Sequence, residues 1–111
     1  MLEGQFTREL LKRLRSHAAL RDAYIVKHAN PFTAGVPDFS VSVGIRTLFV
    51  EVKRKGKNPT KLQWHTINKL RDGCLVLWYA GREGYIYSQG DCSLRMSINA
   101  LCDEIARRVR G

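Results

Sequence analysis

The spacing of hydrophobic residues predicts three helices, one near each end of the chain and one in the middle. The first spans about residues 3–20, where apolar residues recur at helical spacing: Phe6, Leu10, Leu11 and Leu14. The second is predicted from Asn58 and Pro59, an N-cap followed by proline at the first helical position, to about Arg71, and Gly73 ends it. The third covers about residues 94–109, with one apolar face: Ile98, Leu101, Cys102, Ile105 and Val109.

Five further stretches have the patterns of β-strands. They cover residues 24–27, 39–43, 46–53, 74–79 and 85–87. Residues 39–43 alternate apolar positions with serines, which is typical of a strand with one buried face. Residues 74–79 are apolar throughout, as expected of a strand in the interior of a sheet. The stretch from Asn30 to Gly35, which contains Pro31, is predicted to be a loop.

The resulting order, α-β-β-β-α-β-β-α, predicts a mixed α/β domain. The chain has 111 residues, of which 44% are hydrophobic, and this is enough apolar surface for one core. No repeat, low-complexity tract or linker interrupts the pattern. We therefore expect a single domain over residues 1–111.

The chain is strongly basic, with 19 Lys and Arg against 10 Asp and Glu and a net charge of +9. The expected partner is a polyanion, nucleic acid before an anionic membrane. No apolar run is long enough to cross a membrane, and no apolar signal segment starts the chain, so we expect no membrane partner and a cytoplasmic location. The cysteines have neither disulfide nor zinc spacing and are expected to be reduced thiols: Cys74, Cys92 and Cys102.

The two strands at 39–43 and 46–53 are predicted to bring three ionisable residues together. Gly44 and Ile45 are expected to form a two-residue type II′ turn, because glycine stands at its first central position. Counting outward from this turn places the apolar pairs on one face and sets Asp38 opposite Glu51. Lys53 lies two residues after Glu51 and projects from the same face.

Two carboxylates that oppose each other across neighbouring strands, about 5 Å apart at Cβ, repel each other. A divalent cation would remove this repulsion, because hard cations bind carboxylate oxygens at such a separation. The alternative is structural: Asp38 and Lys53 are solvated, and Glu51 pairs with Lys53. The occurrence of all three on one face, beside a basic loop, favours the metal site.

Three segments resemble the PD-(D/E)xK nuclease superfamily: Gly35-Val36-Pro37-Asp38, Phe49-Val50-Glu51-Val52-Lys53, and Asn58-Pro59 with Gln63. The likeness covers about residues 2–79 and is strongest with the stand-alone virus-type replication-repair nuclease domain, VRR-NUC. It implies a restriction-endonuclease-like core, with a mixed central sheet flanked by helices. It also implies Mg²⁺ or Mn²⁺ bound by Asp38, Glu51 and the carbonyl oxygen of Val52, with Lys53 positioning or activating the attacking water.

The family usually adds a glutamate from the first helix, and two residues qualify here. Glu3 points in the same direction as the apolar stripe of this helix, whereas Glu9 lies about 120° away at roughly 100° per residue. We therefore expect Glu3 to face the sheet, and the resemblance implies that it is a metal ligand. Glu9 is the alternative, because archaeal-type junction resolvases place a glutamate in a stretch similar to Arg8-Glu9-Leu10. A purely structural role for Glu3 would be to stabilise the helix dipole.

Two residues of the second helix are further candidates. Gln63 lies on the inward stripe with Ile67 and Leu70, and the resemblance implies a catalytic glutamine near this position. By itself, a lone glutamine is more often a hydrogen-bonding residue on a helix surface. Trp64 offers a ring on which a base could stack, or else it belongs to the core.

A group of basic residues follows the candidate catalytic strand, and we call it the basic cluster: Arg54, Lys55, Lys57 and Lys61. Such clusters attract phosphates without reading sequence. Lys27 and His28 precede the proline-containing loop and are also expected to reach nucleic acid. The alternative for the basic cluster is an ordinary solvated loop.

These features together predict a metal-dependent endonuclease that hydrolyses DNA phosphodiester bonds in DNA repair. The likeness favours branched DNA, such as Holliday junctions or flaps, with little sequence preference, and a homodimer, because two cuts need two sites. It also suggests a phage or prophage origin. One rival is a non-catalytic nucleic-acid-binding module on the same fold, but the chain retains the carboxylates and the lysine. A second rival, a structural basic protein, would not be stabilised by Mn²⁺.

Overall fold

The computed structural model describes residues 1–28, 35–86 and 95–111. Its helices and strands follow one another in this order: α1 (Glu3–Arg15), β1 (Tyr24–Lys27), β2 (Phe39–Val43), β3 (Arg46–Arg54), α2 (Lys61–Leu70), β4 (Cys74–Ala80), β5 (Glu83–Ile86), β6 (Met96–Ser97) and α3 (Ile98–Arg110). Short 3₁₀ turns follow α1 and α2, at Ala18–Leu20 and Arg71–Gly73. The predicted mixed α/β class is confirmed.

The strands form one mixed sheet in which spatial order follows chain order, from β1 to β6. Strands β3 and β4 are parallel, and every other described pair is antiparallel. A parallel pair needs a crossover connection, and α2 supplies it here. The apolar strand β4 lies inside the sheet, between β3 and β5, as its composition predicts.

The predicted hairpin between β2 and β3 is confirmed. Phe39 pairs with Val50, and Val43 pairs with Arg46, in the register obtained by counting outward from the turn. Gly44 has φ +60°, which a glycine adopts without strain, whereas Ile45 keeps a negative φ. This combination is that of the type II′ turn, whose twist matches that of the flanking strands.

The hydrophobic core lies between α1, α3 and one face of the sheet. The two helices contribute apolar stripes, including Phe6, Leu10, Leu14, Leu101 and Ile105. The ring of Phe6 stacks on Tyr79 of β4, with ring centroids 4.7 Å apart. None of the helices that the structure describes combines the length and apolarity needed to span a bilayer.

The start of α2 differs from the prediction. Its N-cap is Thr60 rather than Asn58, and Pro59 precedes the helix instead of opening it. The Thr60 hydroxyl accepts from the Gln63 backbone N–H at 3.2 Å, and the Gln63 side chain accepts from the Thr60 N–H at 2.8 Å. This reciprocal capping box satisfies two backbone donors at once, which the Asn58-Pro59 start would not do.

The bounds of the other two helices also need correction. Helix α1 ends at Arg15 and not near residue 20, because the His17 side chain accepts from the Ala19 N–H and caps a separate 3₁₀ turn. Helix α3 begins at Ile98, because the Ser97 hydroxyl accepts from the Ala100 N–H.

Strand β6 was not predicted, and strand β5 is shifted from its predicted position. The two residues of β6 pair with β5, which begins at Glu83 rather than at residue 85. Most of the predicted loop at 30–35, the end of the predicted strand at Tyr87, the predicted helix start at Leu94, and Cys92 lie outside the described residues. Cys74 and Cys102 are free thiols.

Candidate active site

Asp38 is held at the edge where strand β2 begins. It directly precedes Phe39, which pairs with Val50, so its register position faces Glu51. One carboxylate oxygen of Asp38, Oδ2, accepts from the backbone N–H of Val52 at 2.7 Å. The carbonyl oxygen of Asp38 accepts from the His28 N–H at 2.8 Å. Side chain and backbone are therefore both anchored, and the carboxylate is directed toward β3.

Glu51 is a buried carboxylate, only 1% exposed, in the middle of the sheet. Its Oε1 accepts from Gln63 Nε2 at 3.3 Å and lies 3.6 Å from Lys53 Nζ. Its Oε2 is buried and has no hydrogen-bond partner among the described residues. Burial, followed by the nearby charge of Asp38, raises the pKa of Glu51 to about 8.

This arrangement fits a hard divalent cation. A buried charged oxygen without a partner costs several kcal/mol unless a counter-charge satisfies it. Lys53 is paired with the other oxygen of Glu51, so Oε2 remains available as a ligand. No group of three His, Cys, Asp or Glu side chains suited to a metal ion occurs within residues 1–28, 35–86 and 95–111. Two carboxylates suffice for Mg²⁺, which keeps several waters and takes further ligands from substrate phosphates.

The structure separates the two glutamates of α1. Burial and then the charge of Asp38 raise the pKa of Glu3, while Lys53 lowers it, so Glu3 lies within the electrostatic field of the site. Glu9 instead forms an ion pair with Arg13, one turn further along α1, at 2.9 Å. The first turn of α1 therefore carries Glu3, and not Glu9, toward Asp38.

Gly35 packs the entry to β2 tightly against α2. It has φ +89°, and a Cβ there would meet the Leu62 side chain and carbonyl oxygen at 3.0 Å and the Thr66 hydroxyl at 3.1 Å. Only glycine combines this backbone conformation with so close an approach. The contact brings the segment that ends in Asp38 next to the helix that carries Gln63. This close packing explains why glycine begins the Gly-Val-Pro-Asp stretch.

Gln63 links the cap of α2 to the site. Its side-chain oxygen accepts from the Thr60 N–H, while its side-chain nitrogen donates to Glu51. Because both ends of the amide are used, it fixes Glu51 in one orientation. Gln63 therefore has two roles: it caps the start of α2, and it holds this helix against the Glu51 carboxylate.

The basic cluster is exposed, as is Lys27 on β1. Within the part of the chain that the structure describes, no carboxylate forms an ion pair with any of these five residues. The Lys55 N–H donates to the Tyr79 carbonyl at 2.9 Å, which extends the parallel pairing beyond β3. His28 is bound locally: its Nε2 lies 3.0 Å from the Ser40 hydroxyl, and its ring stacks on Phe49.

Sequence reasoning missed one neighbour of the site. Trp78 of β4 pairs directly with Lys53 of β3, and its indole N–H donates to the Lys57 carbonyl at 2.7 Å. Trp64, for which a place in the core was one alternative, is 39% exposed. The parallel register between β3 and β4 determines these neighbours, and no local pattern in the chain encodes it.

Comparison with known proteins bears on the fold alone. No protein-family model and no curated protein matches this chain. Among solved structures, the chain is similar to Hjc of Archaeoglobus fulgidus, a Holliday junction resolvase from an archaeal hyperthermophile. The TM-score is 0.57 at 16% identity, over 93% of this chain and 98% of that one. The chain therefore shares the mixed α/β fold of this resolvase.

Proposed function

We propose that this protein is a metal-dependent endonuclease that hydrolyses phosphodiester bonds in DNA. The observation that carries the proposal is the buried Glu51 carboxylate, with an oxygen that no described group satisfies, beside Asp38 and Lys53. A sheet gains no stability from two neighbouring carboxylates, so the pair is best explained by chemistry. The exposed basic cluster beside it supplies the counter-charge for a nucleic-acid backbone.

Each residue of the site has a distinct task in this reaction. Asp38, Glu51 and the carbonyl oxygen of Val52 would hold Mg²⁺ or Mn²⁺, and Glu3 of α1 would act on the same centre through its charge or through a bound water. When bound, the ion acts as a Lewis acid on the phosphate and lowers the pKa of a bound water. Lys53 orients the attacking water and stabilises the negative charge that develops at phosphorus. Gln63 keeps Glu51 in its ligating orientation.

The substrate we propose is branched DNA, such as a Holliday junction or a flap, cut with little sequence preference. The fold shared with a protein named as a Holliday junction resolvase supports this choice, and so does the VRR-NUC likeness of the site segments. Contacts from the basic cluster to phosphates would position the DNA on the protein without recognising its base sequence. A homodimer, with one active site in each single-domain subunit, would place two cuts on one junction.

The substrate preference is tested with labelled four-way junction, flap, linear duplex and single-stranded DNA of matched sequence, each with Mg²⁺ or Mn²⁺. We expect branched DNA to be cut fastest, and the cleavage positions to follow the branch point when the sequence is changed. Equal rates on linear duplex and on the junction would overturn the proposed selectivity while leaving the nuclease activity in place.

The two glutamates of α1 are expected to differ in their effect on catalysis. Glu3→Ala should reduce the cleavage rate by about 10-fold or more, because a carboxylate close to Asp38 and the ion is lost. Glu9→Ala should change it by less than about twofold, since a half-buried ion pair within one helix contributes little. Single-turnover rates at saturating Mn²⁺ compare the two directly. The opposite order would support the resolvase-like alternative, in which Glu9 completes the site.

Binding should depend steeply on salt through the basic cluster. Each phosphate contact removed should reduce the slope of log affinity against log salt by about 0.9 on duplex DNA. We therefore expect the Lys55→Ala, Lys57→Ala double variant to bind junctions more weakly and with a shallower slope. The Lys12→Ala, Lys69→Ala double variant, which removes two exposed lysines of α1 and α2, is the matched control. An unchanged slope in the double variant would identify the cluster as an ordinary solvated loop.

A further inference from the structure

A groove lined by aromatic and basic residues lies beside the candidate active site. It is formed by the loop after β3, one side of α2 and the strands β4 and β5, and it has a volume of about 780 Å³. This is within the range of pockets that hold small organic groups, about 300–1,000 Å³. The lining residues that matter here are Lys57, Asn58, Trp64, Val76, Trp78 and Tyr85.

The floor of this groove is continuous with the catalytic face of the sheet. In the parallel register, Glu51 pairs with Val76, and Lys53 pairs with Trp78. Residues paired in this way project from the same face of neighbouring strands, which lie about 4.8 Å apart. The groove over β4 and β5 therefore begins roughly 5–10 Å from the carboxylates and the lysine. On a stacked strand, whose nucleotides rise about 3.4 Å each, this is one to three nucleotides.

The groove presents aromatic surfaces of the kind that bind bases. Trp78 and Tyr85 stack with ring centroids 6.1 Å apart and planes inclined by 12°. Trp64, on the α2 side, leaves 39% of its surface exposed. The chain has two tryptophans, and both line this groove. Unstacked bases bind such rings irrespective of sequence, because every base has a π-face.

The positive charge around the groove indicates that the ligand whose aromatic ring binds there is an anion that carries phosphates. Lys57 lines the groove, and the rest of the basic cluster lies at the end of β3, on the adjoining loop and at the start of α2. These cations form no ion pair with a described carboxylate, so they are available to phosphates. Aromatic rings with flanking cations are the combination by which proteins hold single-stranded nucleic acid.

We propose that this groove binds an unpaired nucleobase of the DNA strand that is being cut, one to three nucleotides from the scissile phosphate. The proposal rests on the proposed nuclease function and extends it. Stacking on Trp64, opposite the stacked Trp78 and Tyr85 rings, requires a base that has left its duplex partner, and such bases occur at branch points, flaps and gaps. The groove would therefore favour branched substrates without reading their sequence.

Binding in EDTA tests the groove without cleavage. Because both tryptophans line it, addition of a short oligothymidylate should quench the intrinsic fluorescence, whereas an abasic strand of equal length and charge should not. Trp64→Ala should weaken binding of the labelled oligothymidylate by about 10-fold or more, and Trp64→Phe should restore most of it. Affinity for a fully paired duplex should stay within about twofold. Tyr24→Ala, which removes an exposed aromatic residue of β1, is the matched control.

The outcomes separate this proposal from the nuclease proposal. Equal binding of the base-containing and abasic strands, or an equal loss on duplex in Trp64→Ala, would overturn the base site. If the enzyme cuts junctions and Trp64→Ala leaves both the rate and oligothymidylate affinity unchanged, the groove fails and the nuclease stands. If Trp64-dependent quenching occurs but no metal supports cleavage, the nuclease fails. In that case the groove still binds bases, but the DNA strand that it binds is not one that this protein cuts.

Discussion

Replacing Lys53 with alanine is expected to reduce the single-turnover rate of DNA cleavage by at least about 100-fold, the usual effect of removing a preorganised charge-stabilising group. Lys53 Nζ lies 3.6 Å from Glu51 Oε1, on the face that carries both carboxylates. There it can stabilise charge on the phosphate, which a distant surface cation cannot. The affinity for junction DNA should change by no more than about threefold, since we propose that the basic cluster supplies most phosphate contacts.

The control for this variant is Lys69→Ala, which removes an exposed lysine from the last turn of α2 and leaves the net charge equal to that of Lys53→Ala. It should cut at the wild-type rate. A Lys53→Ala protein that is folded and cuts normally would show that the lysine is a solvated neighbour of Glu51, as the structural alternative holds. A loss of cleavage that follows a matching loss of affinity would assign Lys53 to binding.

Glu51→Gln is expected to stabilise the metal-free protein while it abolishes cleavage. The pKa of Glu51 is raised from 4.5 to about 8, chiefly by burial. The folded wild type therefore binds a proton more tightly than the unfolded chain, and it loses stability as the pH rises from about 4.5 to 8. Glutamine cannot ionise and avoids this loss. In EDTA at pH 8, we expect the variant to be more stable by about 4 kcal/mol, since raising a pKa by one corresponds to about 1.4 kcal/mol.

Thermal unfolding in EDTA at pH 5 and pH 8 measures this difference. The variant's advantage in Tm should be small at pH 5 and roughly 15 °C at pH 8, because about 1 kcal/mol shifts the Tm of a domain of this size by roughly 4 °C. Saturating Mn²⁺ should raise the Tm of the wild type and of Glu9→Gln, but not that of Glu51→Gln. A Glu51→Gln protein that is less stable at pH 8 and still responds to Mn²⁺ would contradict the assigned ligand.

The hairpin that carries the site was predictable because its register depends on local chemistry. Gly44 permits the turn, and the alternating apolar pairs allow only one register, so the positions of Asp38 and Glu51 follow. The direction of Glu3 followed from helical periodicity in the same way. The proximity of Glu3 to Asp38 could not be predicted from periodicity, because it depends on how α1 packs against the sheet.

Other features could not be obtained from the chain because they depend on pairing over long separations. The parallel register of β3 and β4 places Trp78 beside Lys53, although the whole of α2 separates the two residues in the sequence. The two-residue strand β6 is too short for any alternation to be visible. The start of α2 was misassigned because Asn58-Pro59 is a valid local signal, which the Thr60 and Gln63 capping box outcompetes.

The most direct test of the account is the cleavage of labelled branched DNA by the wild-type protein before and after metal is restored. Protein stripped with EDTA should bind the DNA without cutting it, and addition of excess Mg²⁺ or Mn²⁺ should start cleavage. That result would place the chemistry in a metal-dependent centre of the kind that we propose for Asp38, Glu51 and Lys53. Cleavage that continues in EDTA would contradict the metal mechanism. Tight binding without cleavage under both metals would favour a non-catalytic DNA-binding protein.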